Sequence, residues 1–373
     1  MNIYIMNLIL VLKKIFAKRG RGTNMTTIGM LHHRKDPNMV KKTYAYAAVA
    51  KAEGVNFFYF TLGKVNIITE KILGKIYENG KWIEQEFSFP DVIYNASVYV
   101  SDKNQQIYDY LYDRIPFTSH SIGDKLSVYD RIKKAEKFEQ YLIPFYELTD
   151  TNKFFDMINR YEKVLIKPTS GHQGKGIVFI EKHGKYYNIN ESEQVLSINE
   201  KQLLSFVSHK VQEQGYIVQR FISSQIKSGH VYDFRLHVQR NGEGDWVITS
   251  IYPRIGRLGS IVSNMASGGY STYLDVFLKT EFDNDWYNIQ RYLERFAISF
   301  SNHFNSLYED VLFDELGIDV GIDKDHKLWL FEVNWRPGVP NIFNLELDVA
   351  RNLIHYARYL ADKHKQEKES RKI

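Results

Sequence analysis

The chain has 373 residues, with 49 Lys and Arg against 44 Asp and Glu, 12 His and no Cys; 44% of it is hydrophobic and 14% aromatic. That composition excludes a disordered chain, a collagen and a disulfide-stapled secreted domain, and the lack of Cys excludes thiolate metal sites and thiol nucleophiles. The formal charge of +5 arises from residues 1–24, where Lys13, Lys14, Lys18, Arg19 and Arg21 meet no acid; the balanced remainder gives no reason to expect nucleic acid as a partner.

The apolar stretch at 3–12 is too short to span a bilayer, which needs about 20 residues, so no transmembrane segment is expected. Its basic residues follow the apolar run, the reverse of a signal peptide. Residues 1–25 therefore read as an extension outside the fold or an upstream start, rather than as a basic amphipathic anchor. From residue 26 strands alternate with helices. Residues 27–31, 56–60 and 91–95 read as strands, with a helix over 40–52. A hairpin at Asn79-Gly80 joins 75–78 to 81–87. The alternation predicts a small α/β unit with a parallel sheet over 26–115.

The pattern resets around Pro116. Residues 125–142 read as a helix and 163–167 as a short buried strand. Residues 216–222, 233–240 and 246–252 read as strands, the last two joined by a turn at 241–245. Residues 286–312 and 345–361 read as helices, with the hairpin 318–323/327–333 between them. The charged tail, 363–373, reads as frayed.

Two stretches carry chemistry. In Val164-Leu165-Ile166-Lys167-Pro168-Thr169-Ser170-Gly171-His172-Gln173-Gly174-Lys175-Gly176-Ile177, a hydrophobic strand delivers Lys167 to a loop with three glycines. Glycines let backbone N–H groups approach phosphate oxygens with no Cβ in the way, and a lysine supplies the point charge. The loop is not a Walker motif, because the Gly-Lys-Ser/Thr ending and the following helix are missing. A plain glycine hairpin beside a strand-end lysine is the alternative.

The second stretch is Leu328-Trp329-Leu330-Phe331-Glu332-Val333-Asn334-Trp335-Arg336-Pro337-Gly338. On a strand, Glu332 and Asn334 share one face. A carboxylate and an amide oxygen beside an Asp of the paired strand make a hard-oxygen site of the kind Mg²⁺ takes. Asp319 and Asp323 are the candidates for the third ligand. A solvent-facing polar strand end before a Pro-Gly turn is the plainer alternative. Twelve histidines show no ligand spacing.

Taken in order, these stretches resemble the ATP-grasp superfamily over about residues 119–338. Tyr232-Asp233-Phe234-Arg235, Ile261-Val262-Ser263-Asn264 with Gly268-Gly269, and Glu315-Leu316-Gly317-Ile318-Asp319-Val320-Gly321-Ile322-Asp323 are most similar to its spore-coat-associated YheC/YheD-like branch. The resemblance implies an α/β fold class with α+β elements. An ATP-grasp domain over 116–362, with a glycine-rich lid at about 163–215, would follow a small pre-ATP-grasp α/β domain over 26–115.

It also implies roles. Lys125 and Lys167 become the nucleotide lysines, and Gly171, Gly174 and Gly176 the lid over the phosphates. Gln219, Arg220, Phe221 and Ile222 become the hinge whose backbone reads adenine. The superfamily often has Glu where Gln219 stands and an acid for the ribose a few residues on; residues 223–230 contain no acid. Asp319, Glu332 and Asn334 match the Mg²⁺ set, with Asp319 preferred over Asp323. Arg235 and Arg254, on successive strands, suit a transferring phosphoryl group or an acyl-phosphate oxygen, and Arg336 a substrate carboxylate; salt-bridged strand arginines are the alternative.

The implied activity is ATP- and Mg²⁺-dependent ligation of a carboxylate to an amine through an acyl-phosphate, in a site that excludes water. Two other classes stay open: a non-catalytic nucleotide-binding component of the spore coat, and a kinase acting on a hydroxyl. The partners expected are ATP, a carboxylate or amine substrate of unknown identity, and spore-coat proteins, in the cytoplasm or at the coat.

Overall fold

The structure, a computed structural model, describes residues 25–97, 101–169, 176–191, 194–263, 268–309, 311–340 and 345–371. The extension at 1–24, Gly171 and Gly174 of the glycine loop, and Asn264 lie outside the described residues. The chain forms two compact units, one of Met1–Thr118 with Ala357–Ile373 and one of Ser119–Tyr356.

In the first unit, β1 (Thr27–Leu31), β2 (Asn56–Phe60), β3 (Val65–Asn66), β4 (Lys71–Glu78), β5 (Lys81–Ser88) and β6 (Val92–Asn95) make one sheet. Its order is β3-β4-β2-β1-β6, with β5 paired to β4. Helices α1 (Lys42–Ala52) and α2 (Asp102–Tyr112) belong to the same unit. β1 runs parallel to β2 and β6, and β6 is buried throughout, as a strand covered on both faces must be. The parallel core matches the sequence pattern. β4 and β5 add an antiparallel arm whose turn residues Asn79 and Gly80 have φ of 49° and 81°, the left-handed pair that suits a two-residue hairpin.

The second unit opens with α3 (Lys125–Lys134), capped by Asp124, whose carboxylate accepts from the Ser127 N–H at 2.8 Å. The sequence pattern ran this helix to residue 142. It stops at Lys134 because Glu136 and Phe138 take positive φ values of 57° and 70°. That reversal places the Phe138 ring edge-on to Phe300 at 5.4 Å and Phe296 at 5.8 Å, so tertiary burial overrides local helix propensity.

Six strands follow: β7 (Phe145–Glu147), β8 (Lys163–Pro168), β9 (Val178–His183), β10 (Tyr186–Glu191), β11 (Gln194–Asn199) and β12 (Tyr216–Arg220). They form a sheet in the order β11-β10-β9-β8-β12-β7. Helices α4 (Thr151–Tyr161) and α5 (Glu200–Glu213) bury Phe154, Met157, Ile158, Leu203 and Val207 with Val164, Ile166, Val178, Ile180 and Val218 of that sheet.

A second sheet comprises β13 (Tyr232–Arg240), β14 (Trp246–Ile255), β15 (Tyr270–Ser271), β16 (Glu315–Ile322) and β17 (Leu328–Asn334), in the order β15-β14-β13-β16-β17. Between β15 and β16 lie α6 (Leu274–Glu281) and α7 (Trp286–Ser306). Ile289, Leu293, Phe296, Phe300 and Phe304 of α7 recur every three or four residues, and that stripe is buried in the main core. α7 was expected to reach residue 312 but ends at Ser306, where Asn305 turns the chain by bonding the Val311 carbonyl and the Phe313 N–H. The last helix, α8 (Leu345–Ser370), outruns the expected end at 361. Its charged residues are helix formers without Gly or Pro, and Lys365 pairs with Asp91 at 2.8 Å.

Gly317 of β16 matters for the site. A Cβ there would lie 2.4 Å from the Pro337 side chain, so only glycine lets the turn after β17, with Arg336 in it, close against the sheet.

Candidate functional site

Residues of both sheets of the second unit line a cavity of about 530 Å³. Its lining holds six basic side chains, Lys125, Lys167, Arg220, Arg235, Arg254 and Arg336, against three acidic ones, Asp233, Asp319 and Glu332. A concave, net-positive surface concentrates field lines and favours a polyanion.

One wall holds the lysines. Val164, Leu165 and Ile166 anchor β8 in the core, and the strand delivers Lys167 at its end. Burial, with help from Lys125 and against the pull of Glu332, pushes the Lys167 amine down to about 8. Lys125 starts α3 and lies 3.6 Å from the Glu332 carboxylate. Gly176 is left-handed, with φ of 74°.

The expected hinge occupies the same wall. Gln219 is fully buried, with the Tyr129 hydroxyl as a polar neighbour and no well-formed hydrogen bond to its amide among the described residues. The neighbouring Tyr129 hydroxyl donates to the Phe331 carbonyl at 2.5 Å. The Arg220 N–H donates to Pro144 O at 2.9 Å and the Phe221 N–H to Lys163 O at 3.0 Å. Of these hinge amides, the Ile222 N–H has no acceptor among the described residues. The Arg220 guanidinium packs over the Tyr161 and Trp329 rings, 5.2 and 5.3 Å from their centroids.

The opposite wall is an arginine–carboxylate cluster set by strand register. Asp233 on β13 faces Arg254 on β14, Arg235 faces Asp319 on β16, and Asp319 faces Glu332 on β17. Arg254 donates twice to Asp233, at 2.6 and 2.7 Å, and reaches Asp319 at 2.9 Å. Arg235 forks onto both oxygens of Asp319, one contact at 3.1 Å, and the Asn334 amide reaches it at 3.3 Å. Burial alone would raise the Asp319 carboxyl, but Arg235 and Arg254 outweigh it and hold the group below its ordinary value.

Asp319 and Asp323 separate cleanly. Asp319 lines the cavity. Asp323 closes the β16–β17 turn, accepting from the Asp325 and Lys327 N–H groups at 3.0 Å each and from the Trp329 indole at 2.7 Å. Glu332, Asn334 and Arg336 line the cavity, and the Arg336 guanidinium stacks on Trp335 at 3.9 Å. Sequence reasoning assigned no role to Asp233 or Ser263, yet Ser263 donates to Asp233 at 2.5 Å and so ties the 261–263 segment of the wall to β13. The available signal was the Asp-x-Arg spacing of 233 and 235, which puts both side chains on one strand face.

The donor chemistry bears on a metal. Glu332 and the Asn334 amide oxygen are hard donors suited to Mg²⁺. Asp319 joins them only in competition with two guanidinium groups and an amide N–H. Among the described residues no three His, Cys, Asp or Glu side chains stand close enough to hold a metal ion by themselves.

A family model described as YheC/D like ATP-grasp matches residues 114–360. The chain belongs to the YheC/D-like ATP-grasp family. Two Bacillus subtilis relatives of this family are described as endospore coat-associated proteins. YheD is 26% identical over 82% of this chain and 71% of its own length. YheC is 21% identical over 78% of this chain and 83% of its own. Among solved structures, the ATP-grasp ligase PsnB, complexed with a minimal precursor, superposes with a TM-score of 0.56 at 9% identity, covering 90% of this chain and 99% of that one. D-cycloserine synthetase DcsG gives 0.52 at 12% identity over 90% and 99%. These likenesses show the ATP-grasp fold, as the two sequence motifs implied. Among the described residues no helix is long and apolar enough to cross a membrane.

Proposed function

We propose that this ATP-grasp protein binds ATP with Mg²⁺ and uses it to join a carboxylate to an amine, in association with the endospore coat. The observation that carries the reading is the cavity's surplus of cations, six basic side chains against three acidic ones, around the fully buried Gln219 amide. A buried amide without a well-formed hydrogen bond is costly, and a nucleobase edge with a donor and an acceptor would complete it. The Ile222 N–H supplies a second contact to the base. Lys125 and Lys167 neutralise phosphate charge, while Ile143, Leu165, Ile177 and Phe331 offer apolar walls to the ring.

Glu332 and Asn334 would hold Mg²⁺, with Asp319 beside them. The metal, when bound, neutralises phosphate oxygens. Arg254, Arg235 and Arg336 orient the carboxylate and stabilise charge as its oxygen attacks the γ-phosphorus and ADP leaves. The amine then attacks the acyl carbon and inorganic phosphate departs. Residues 116–362 would form the ATP-grasp domain, 163–215 its lid and 26–115 the preceding domain. The likeness to YheD and YheC, both endospore coat-associated proteins, supports the coat association, and it equally suits a coat component that binds nucleotide without turnover.

Calorimetry with a non-hydrolysable ATP analogue, with and without Mg²⁺, tests the first step. Binding that needs Mg²⁺ and weakens in Lys167→Ala is expected, and no binding overturns the reading. An ADP-release screen over amino acids and short peptides then separates the classes. Amide product with ADP and phosphate supports ligation, a phosphorylated hydroxyl supports a kinase, and binding without ADP release supports the coat component.

A further inference from the structure

A strand at the end of a sheet presents a row of unpaired N–H and C=O groups, and proteins normally keep such edges short, covered, bulged or charged. Most terminal strands here obey that rule. β3 and β15 have two residues each and β7 has three. β6 and β17 carry an outer bridge each, to Phe117 and Leu142. β5, paired only to β4, holds Lys81, Glu84 and Glu86. β11 differs. It ends the first sheet of the second unit, and its sequence Gln194-Val195-Leu196-Ser197-Ile198-Asn199 has neither charge nor Pro. Val195 and Leu196 are 63% and 60% exposed.

We infer that β11 is a self-association edge: it pairs antiparallel with β11 of a second copy of this chain about a two-fold axis, and two six-stranded sheets become one. An axis through Ser197 sets Leu196 opposite the copy's Ile198 and Val195 opposite its Asn199. No charged residue of the strand then meets another. Leu196 and Ile198 share the face on which Ile198 already packs against the core that holds α5, so apolar meets apolar there. The same operation on β5, about Gln85, would set Glu84 against Glu86 twice, and like charges directly opposite destabilise. Charge therefore permits self-pairing at β11 and opposes it at β5.

The area sets the strength. Six strand residues a side are about a quarter of the 20–30 in a standard interface, so association should be weak, in the micromolar range. The pairing does not depend on the nucleotide reading above.

The test is sedimentation velocity of the full chain over about 1–300 µM, a range that brackets such an affinity. The mass should rise from that of a monomer toward that of a dimer. Leu196→Glu should weaken the dimer by about tenfold or more, because symmetry places the new charge at the interface twice. A thermal melt at about 1 µM, where both proteins are monomers, should match the wild type, since Leu196 is more than half exposed. The register has its own check. The chain has no Cys, so Ser197→Cys supplies a lone thiol that the axis places opposite its own copy. Directly opposed Cα atoms are about 4.5–5.5 Å apart, within the range a disulfide spans. Mild oxidation should give a covalent dimer that reductant reverses, and Glu84→Cys on β5 should give none. A dimer indifferent to Leu196→Glu, or one without the Ser197→Cys cross-link, overturns the inference. So does a wild type that stays monomeric throughout, which would leave the edge to an extended peptide of another protein.

Discussion

The two walls of the cavity use cations in opposite ways. On the lysine wall, Lys167 has no ion pair among the described residues and Lys125 has one loose contact, 3.6 Å from Glu332. On the arginine wall, Arg235 and Arg254 are locked between Asp233 and Asp319 by close, buried, forked contacts. The first wall presents uncompensated positive charge at some cost to the protein, which shows in the lowered Lys167 amine. The second has already neutralised itself and gains rigidity. An arriving polyanion therefore finds its attraction on the lysine wall, while the arginine wall supplies fixed geometry, the preorganisation that charge development in a reaction requires.

The sharpest way to break this contrast is Asp319→Ala. Removing the shared carboxylate leaves the Arg235 guanidinium without its carboxylate partner and Arg254 with Asp233 alone, and the expected loss is about 3–5 kcal/mol of folding stability by urea titration. A variant as stable as the wild type would mean that the arginine wall is not a structural ion cluster. Next in size, Lys167→Ala should weaken Mg²⁺–ATP binding by about 10- to 100-fold with little loss of stability, because it removes a charge-assisted contact to phosphate and relieves a partly desolvated charge.

Lys125→Ala should cost less, about threefold to tenfold, since Glu332 already balances part of that charge. The reverse ranking would show that the Lys125–Glu332 pair, rather than Lys167, dominates the wall.

The smallest effect is a pH dependence. The Lys167 amine titrates at about 8 in the folded protein, below its ordinary 10.5. The nucleotide favours the charged form, so affinity should fall roughly threefold to fourfold between pH 7 and pH 8.5, with proton uptake on binding. Between about 8 and 10.5 the unfolded chain holds a proton that the folded chain lacks. This group alone then makes stability rise with pH across that window. Lys167→Arg, charged throughout, should abolish both trends. Calorimetry in buffers of differing ionisation enthalpy and melts across pH 7–10 would check them.

Much of this protein is determined by sequence alone. The hydrophobic run before Lys167, the alternation that puts Glu332 and Asn334 on one strand face, and the Asn79-Gly80 turn are local patterns. Each depends only on the periodicity of a strand or the φ preference of two residues. The family came instead from the resemblance of the two motifs together with the stretches at 232–235, 261–264 and 315–323, and the family model over 114–360 bears it out. The early end of α3 at Lys134 was not legible, because Phe138 leaves the helix to pack against α7, more than 150 positions away in the chain.

Tertiary structure also gives Asp319 and Asp323 different surroundings. The two lie four positions apart and sequence spacing favours neither strongly, but register against β13 and β17 turns the first toward Arg235 and Glu332, while the second is consumed in its own turn. The same register joined Asp233 to Arg254. Which polar group finds a partner depends on neighbours brought from distant strands, and a one-dimensional pattern carries no record of what lies across the sheet.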